Sequence, residues 1–426
     1  MKKSISEEKY RYYCDVLKRE LVPAMGCTEP IAIAYAAAKA KEVLGAFPEK
    51  CEIAVSGNII KNAKSVVVPH TGGMRGIEAA AIAGIVAGEA GAELEVLSSV
   101  TECDIEKMRA TAENFPISVS VSDLDGDFDI AITLMRGDES SFVRITAKHT
   151  NIVCIKKNGE TLLECGEVKE KREIKKLALS VEEIVEFADT VDIAEVRTTL
   201  DRQIEYNMAI AEAGLSGNYG ANIGKVYLSA YPNDVSIKAK ACAAAGSDAR
   251  MNGCEKPVVI NSGSGNQGMT ASIPVIVYAR ELGAEKEALY RALVLSNLLT
   301  IHIKDGIGTL SAYCGAIAAG ACAGAGIAYL HGSKFKEIAH TLVNALAIAS
   351  GVICDGAKAS CAAKIATAVE NGILGYELYK AGNQFFSGDG IVEKGVENTI
   401  RNVCRLARVG MRETDKEIIS IMMDIK

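Results

Sequence analysis

Three cysteines in the last third of the chain are the first candidates for chemistry. Cys314, Cys354 and Cys361 each lie beside glycine or a polar turn, in TyrCysGly, CysAspGly and SerCysAla. Cys354 and Cys361 would be separated by a rise of about 10.5 Å on an unbroken helix, which is too far for two ligands of one metal cluster. Asp355-Gly356 supplies a break between them, so that Cys361 can begin a helix whose free N–H groups stabilise an anionic cluster. A buried apolar position is the alternative for each cysteine.

A glycine-rich loop predicts an anion site. The run from Asn261 to Gly268 reads NSGSGNQG, follows the apolar stretch ProValValIle and precedes an apolar helix. Glycines let backbone N–H groups converge, and the polar side chains add donors suited to a phosphate or a substrate carboxylate. The spacing fits neither a Walker nor a Rossmann loop, and a structural helix cap is the alternative. The candidate substrate-binding residues are Ser262, Gly263, Ser264, Gly265, Asn266 and Gln267.

Cys27 is the third candidate, in the segment Gly26-Cys27-Thr28-Glu29-Pro30. Thr28 is the predicted N-cap of an Ala-rich helix. A helix N-terminus lowers the pKa of a thiol and favours the thiolate, which serves as a base or a nucleophile. A loop cysteine without a chemical role is the alternative.

The remaining polar candidates are weaker. The five histidines show no metal-ligand pairing such as HxxxH. His70 and His302 lie beside glycine turns, and Asn58 lies in the segment SGNIIKNA.

The elements around these residues predict an α+β protein with a mostly α-helical catalytic domain and an inserted, smaller α/β domain. Residues 1–47 and 176–426 read as helical and would share one core, whereas residues 48–175 alternate between short strands and helices. The predicted strands are CEIAVS, SVVVP, LEVLSSV, ISVSVSD, FDIAITLM, FVRITAKH and NIVCIKK. The many glycines and alanines after Lys240 predict helices packed closely together.

Composition excludes several classes of partner. The net charge is −7, and its 47 basic residues are dispersed, so nucleic acid is not an expected partner. The uncharged run at residues 310–330 has the length of a membrane span, but its Ala and Gly content favours a buried helix and no membrane partner. Without a secretory pattern after Met1 we expect a cytoplasmic protein whose 13 cysteines are reduced.

Several motifs together resemble the L-cysteine desulfidase family, which is related to the α chain of bacterial iron–sulfur L-serine dehydratases. The resemblance rests on GCTEP, SGNIIKNA, SDARMNG, NSGSGNQG, LSAYCG, CDGAKASCAAK, GDGIV and GMRETDKEII. It implies a helical catalytic domain with a 4Fe-4S cluster held by Cys314, Cys354 and Cys361, and a catalytic role for Cys27. It also implies that the inserted domain is like the β or regulatory domain of the serine dehydratases.

The chain departs from the serine dehydratases at its end. Those proteins can end in a cysteine that reaches the cluster, whereas this sequence ends in MetMetAspIleLys. We therefore expect the fourth iron site to be open for substrate. The predicted reaction is a non-redox α,β-elimination of L-cysteine to pyruvate, ammonia and hydrogen sulfide. Cys27 is the predicted base, Glu29 and Asn58 are supporting polar groups, and a homodimer that binds a small amino acid is the expected assembly.

Three alternatives stay open. L-Serine is a possible substrate, although soft sulfur prefers soft iron, which favours L-cysteine. A pyridoxal-phosphate lyase would use the glycine loop as a phosphate cup and Lys304, Lys358 or Lys364 as the Schiff-base residue. A non-enzyme would bind or transport amino acids without forming a product.

Overall fold

The computed structural model describes residues 5–122, 128–165, 177–232, 234–308 and 311–423. Its helices are α1 (Glu7–Glu20), α2 (Thr28–Leu44), α3 (Gly57–Ala63), α4 (Gly76–Ala87), α5 (Glu102–Asn114), α6 (Val181–Thr190), α7 (Ile193–Ser216), α8 (Ile223–Ala230), α9 (Val235–Met251), α10 (Gly265–Glu281), α11 (Lys286–Ile307), α12 (Gly315–Leu330), α13 (Phe335–Ala349), α14 (Cys361–Lys380), α15 (Val396–Arg405) and α16 (Arg412–Met423). Its strands are β1 (Pro23–Met25), β2 (Lys50–Val55), β3 (Ile117–Val121), β4 (Asp129–Arg136), β5 (Glu139–Thr146), β6 (Ile152–Lys157), β7 (Glu160–Glu164) and β8 (Pro257–Val259). The predicted α+β class, mostly helical, is confirmed.

Six strands form one mixed sheet in the order β3-β2-β4-β5-β6-β7. Strand β2 pairs in parallel with β3, and the other pairs are antiparallel. Alternate side chains of β4, such as Ile130, Ile132 and Leu134, are fully buried, as expected for a sheet covered on one face. Helix α2 packs on this sheet against β4 and β5, and the Ser141 hydroxyl of β5 donates to the Ala40 carbonyl at 2.8 Å.

Two predicted strands are wrong. The run SVVVP forms no strand and contributes only an isolated bridge between Val67 and Arg75. The run LEVLSSV ends a 3₁₀ helix (Ala90–Glu95) and continues into turns, with Leu94, Val96 and Leu97 buried. A short apolar run predicts that a segment is buried, but burial alone does not distinguish a strand from another buried backbone conformation. The predicted domain boundary at residues 175/176 lies outside the described residues.

The helical part packs its helices at backbone contact. A Cβ added to Gly372 of α14 would lie 2.0 Å from the Gly320 carbonyl oxygen of α12, and one added to Gly320 would lie 2.2 Å from the Ala368 carbonyl oxygen. Residues 316–328 of α12 are buried. The predicted close packing of glycine-rich helices is therefore confirmed.

Within the described ranges, no helix is both long and apolar enough to span a membrane.

The variant Gly372→Ala is expected to destabilise the protein. The added methyl group cannot avoid the backbone of α12, so the two helices must move apart, at a cost on the order of 1–3 kcal/mol. Denaturant unfolding followed by far-UV circular dichroism measures this loss. Gly91→Ala is the control, because a Cβ at Gly91 meets no atom within 4 Å; equal midpoints for the two variants would contradict the prediction.

A short antiparallel ribbon holds two distant segments side by side. Strand β1 pairs with β8, with Pro23 opposite Val259 and Met25 opposite Pro257. The chain leaves β1 into Cys27 and helix α2, and it leaves β8 into the glycine-rich loop and helix α10. The Thr28 hydroxyl then donates to the Gly263 carbonyl oxygen at 2.9 Å. The ribbon thus brings the two predicted sites together, although they are separated by more than 200 residues.

Candidate active site

One cavity of about 110 Å³ collects nearly all of the residues that the sequence singled out. All three candidate groups contribute to its wall. The predicted site residues that line it are Cys27, Glu29, Ser262, Gly263, Ser264, Asn266, Gln267, Cys314, Cys354 and Cys361. Asn58 and Gly265 do not line it.

The three cysteines reach the cavity from two adjoining segments. The Cys314 N–H donates to the Val352 carbonyl at 3.0 Å, and the Cys354 N–H donates to the Ala312 carbonyl at 2.5 Å. These bonds flank a bridge between Tyr313 and Ile353, so Cys314 and Cys354 lie on neighbouring backbone. Cys361 is the first residue of α14.

Gly356 makes the turn that separates Cys354 from Cys361. Its φ is +90°, and a Cβ there would lie 2.0 Å from the Lys61 carbonyl oxygen. Any other residue would therefore be strained by its backbone angle and would also clash with α3. The break predicted at Asp355-Gly356 is confirmed.

The residues present fit an iron–sulfur cluster, because three cysteines line one cavity. Among the described residues, no three His, Cys, Asp or Glu side chains come close enough together to hold one ion. Cysteine thiolates are the usual ligands of iron–sulfur clusters. Burial, with smaller contributions from the neighbouring Cys354 and Cys361, raises the pKa of Cys314 to about 12. Thiols in such a place ionise when metal binding compensates the charge.

The glycine-rich loop is a tight turn that is stabilised by hydrogen bonds within the loop and to α11. Ser262 and Gly263 have φ values of +49° and +80°, and Asn261 and Ser264 exchange two backbone hydrogen bonds at 3.1 Å. The Asn261 side chain donates to Asn297 of α11 at 3.0 Å. Ser264 then caps α10, where its hydroxyl accepts the Gln267 N–H at 3.4 Å. The loop therefore presents a fixed surface to the cavity.

Gln267 offers an acceptor to the cavity. Its Nε2 donates to the Asn261 carbonyl at 3.1 Å, which fixes the orientation of the amide, because a carbonyl accepts only from the nitrogen. Its Oε1 is buried and has no partner among the described residues. A Cβ added to Gly315 would lie 2.2 Å from this oxygen. An unpaired buried acceptor is costly unless a ligand donates to it.

Cys27 and Glu29 form a hydrogen-bonded pair at the start of α2. The Cys27 Sγ donates to Glu29 Oε2 at 3.1 Å, and the Thr28 hydroxyl lies 3.2 Å from the same oxygen. Cys27 occupies the N-cap position that was predicted for Thr28, which instead begins the helix. The other carboxylate oxygen, Oε1, lies 3.9 Å from His149 Nε2. The Glu29 carboxylate thus lies between the Cys27 thiol and the His149 imidazole.

The pKa values of Cys27 and Glu29 are shifted in opposite directions. Burial, and then the Glu29 charge, raise the pKa of Cys27 well above its usual value, although Arg250 opposes them. The expectation that the helix N-terminus gives a low thiol pKa is therefore wrong. Burial also raises the pKa of Glu29, but His149 and the Cys27 thiol outweigh it and hold that pKa at about 2. Near neutral pH the pair is a thiol that donates to a carboxylate.

His149 enters the cavity from the sheet. It lies in the connection between β5 and β6 and is 9% exposed. The Phe128 ring packs against it edge-on at 4.8 Å, and its Cε1 lies 3.1 Å from the place of a Cβ on Gly263. Sequence reasoning missed this residue, because no neighbouring motif marks it.

The cavity also contains positive charges that sequence reasoning missed or assigned differently. Arg250 of α9, Lys304 of α11 and Lys364 of α14 all line it. Lys364 forms an ion pair with Asp355 and donates to the Ile353 carbonyl at 2.8 Å. Burial lowers the pKa of Lys304 to about 8. Arg250 occurs in the motif SDARMNG, but the pattern gave no role for it.

Asn58 lies behind the cavity wall. Its side chain is buried, and its backbone carbonyl accepts from Asn62 Nδ2 at 2.9 Å. Asn62, one turn later on α3, lines the cavity, and its carbonyl oxygen lies 3.8 Å from Cys27 Sγ. The structure thus places Asn62, and not the predicted Asn58 of the same motif, in the cavity wall.

The sequence matches a described protein family and several full-length relatives. The profile of the serine dehydratase alpha chain matches residues 78–420. A UPF0597 protein from Desulfitobacterium hafniense is 60% identical over 418 residues, 97% of each chain. A UPF0597 protein from Lachnoclostridium phytofermentans is 50% identical over 97% of this chain and 100% of its own. One from Bacteroides fragilis is 37% identical over 98% and 99%. The range matched by the profile contains the glycine-rich loop and the three cysteines but begins after Cys27.

Proposed function

The chain belongs to the serine dehydratase alpha chain family, and from this premise we propose that it is a non-redox iron–sulfur lyase. The proposed reaction is the α,β-elimination of L-cysteine to pyruvate, ammonia and hydrogen sulfide. The observation that carries the proposal is that three cysteines, a thiol–carboxylate pair and a polar glycine loop line one small cavity.

Cys314, Cys354 and Cys361 are the proposed ligands of a 4Fe-4S cluster. When bound, such a cluster supplies a Lewis-acidic iron that stabilises the departing β-substituent. Lys364 lies beside this end of the cavity, and its charge acts on Cys314 and Cys361. A positive charge there favours the thiolates that hold iron.

Cys27 is the proposed base that removes the α-proton. The Cys27 thiol donates to the Glu29 carboxylate, so its proton must leave before it can accept another. The Glu29 carboxylate is the hydrogen-bonded acceptor for that proton, and His149, on the far side of Glu29, keeps the carboxylate ionised and so able to accept it. The α-ammonium group of a bound substrate further favours the thiolate by its positive charge. Elimination of HS⁻ then gives aminoacrylate, which hydrolyses in water to pyruvate and ammonia.

The glycine loop is the proposed anchor of the substrate's backbone atoms. The unpaired Gln267 Oε1 is an acceptor for the α-ammonium group. The fixed loop around Ser262 and Ser264 supplies hydroxyl and N–H donors. Such an anchor holds the α-carbon in place while bonds break at it.

Product analysis tests this function directly. The protein is purified and reconstituted with iron and sulfide without oxygen, and sulfide and pyruvate are measured from L-cysteine, and pyruvate from L-serine. Cluster-dependent sulfide release is the expected result. Pyruvate from L-serine alone would make the protein a serine dehydratase. A bound cluster without product from either substrate would exclude both activities.

His149→Ala is expected to lower kcat roughly tenfold, which is less than the loss of a general acid or base itself typically costs, because His149 acts through Glu29. His149 lowers the pKa of Glu29, so without it this carboxylate protonates at a higher pH. The acidic limb of the kcat profile should move to higher pH, while the iron content stays unchanged. His331→Ala, at an exposed histidine on the opposite end of α12, is the control. An unchanged pH profile in His149→Ala would remove this residue from the mechanism.

A further inference from the structure

Arg250 is a buried charge without an acidic partner in the described part of the chain. Its side chain is 2% exposed and lies in the cavity wall. Nη1 donates to the Asn266 side-chain oxygen at 3.1 Å. Nε is buried and has no partner, and no carboxylate lies within ion-pair distance of the guanidinium among the described residues. Buried charges are normally paired, because removing them from water is otherwise too costly.

The glycine loop is shaped around this guanidinium. A Cβ at position 265 would lie 2.3 Å from Arg250 Nε and 2.7 Å from its Cζ. Only glycine at that position lets the planar group lie against the start of α10. Gly265, predicted as a substrate-binding residue, therefore acts by making room for Arg250.

Arg250 lies close to Cys27 as well as to the glycine loop, because its chain neighbour Met251 packs in one apolar cluster with Cys27. Its charge also acts on Cys27. An anion that pairs with Arg250 thus lies beside Cys27 and the glycine loop. This is the position of the substrate's α-carbon in the proposed reaction.

We propose that Arg250 binds the α-carboxylate of the amino acid substrate and so restricts the enzyme to α-amino acids with a free carboxylate. This rests on the proposed function for the identity of the substrate. A guanidinium matches a carboxylate with two parallel hydrogen bonds. Arg250 and Gln267 both line the cavity, and each carries a buried polar atom without a partner among the described residues; a guanidinium and an amide oxygen together complement the two charged groups of an amino acid zwitterion.

Kinetics of the reconstituted full chain give the first test. Arg250→Gln should raise KM for L-cysteine about 100-fold, with a smaller change in kcat. Arg250→Lys should recover only part of this, because an ammonium group cannot form the paired bonds. Arg280→Gln, at an exposed arginine near the end of α10, should keep the KM of the parent protein. An unchanged KM in Arg250→Gln would overturn the proposal.

Binding of an unreactive ligand separates this proposal from the lyase function. L-Alanine has no β-leaving group, and ethylamine is the same molecule without its carboxylate. By saturation-transfer NMR the reconstituted protein should bind L-alanine and not ethylamine, and Arg250→Gln should lose L-alanine binding while keeping its iron. This result supports the carboxylate site even if no elimination occurs. Equal binding of both ligands, L-alanine binding retained in Arg250→Gln, or a loss of iron in Arg250→Gln would each overturn it.

Discussion

Cys354→Ser is expected to lose the iron–sulfur cluster and all elimination activity. Cys314, Cys354 and Cys361 are the proposed ligands, so a serine at 354 leaves two thiolates and replaces a soft sulfur with a hard oxygen. Iron and acid-labile sulfide, measured after anaerobic reconstitution, should fall to the background level.

Cys103→Ser is the matched control for this variant. Cys103 is exposed on α5 and does not line the cavity, so its replacement should leave the iron content and the turnover of the parent protein unchanged. Circular dichroism establishes that Cys354→Ser is folded. A folded Cys354→Ser protein with a full complement of iron would show that the cluster does not depend on this thiolate.

Cys27→Ala is expected to lower kcat about 1000-fold, within the range for loss of a general base, with iron content unchanged. Alanine cannot accept the α-proton, and the Glu29 carboxylate that remains lies one step further from the substrate in the proposed arrangement. Cys27→Ser should be nearly as inactive, because a serine hydroxyl in this buried place stays protonated.

Exchange of the α-proton measures the base separately from the departure of sulfide. L-Alanine incubated with the reconstituted protein in D₂O should lose its α-proton signal by NMR, because the Cys27 proton exchanges with solvent. Cys27→Ala should not catalyse this exchange, whereas Cys103→Ala should. Exchange at the parent rate in Cys27→Ala would assign the base to another residue, and Lys304, with its pKa near 8, would be the next candidate to replace.

Local sequence was sufficient for features that depend on neighbouring residues. The break between Cys354 and Cys361 could be predicted because Gly356 adopts a backbone angle that other residues avoid. The loop that opens α10 was predictable from its glycines, and the helix that follows Cys27 from its alanine-rich composition. The predicted strands SVVVP and LEVLSSV were wrong, because their apolar residues indicate only that these segments are buried and not which backbone conformation they adopt.

Tertiary structure decided which polar groups face the cavity and what their protonation is. His149 reaches Glu29 from a sheet connection more than 100 residues away, and Arg250 reaches the glycine loop from the end of α9. His149 lies in no motif, and the motif SDARMNG gave Arg250 no role. Cys27 shows the same limit: its place at a helix start was predictable, but burial and the Glu29 charge reverse the expected direction of its pKa. Backbone preference is a property of a few adjacent residues, whereas desolvation and charge depend on everything that the fold packs around a group.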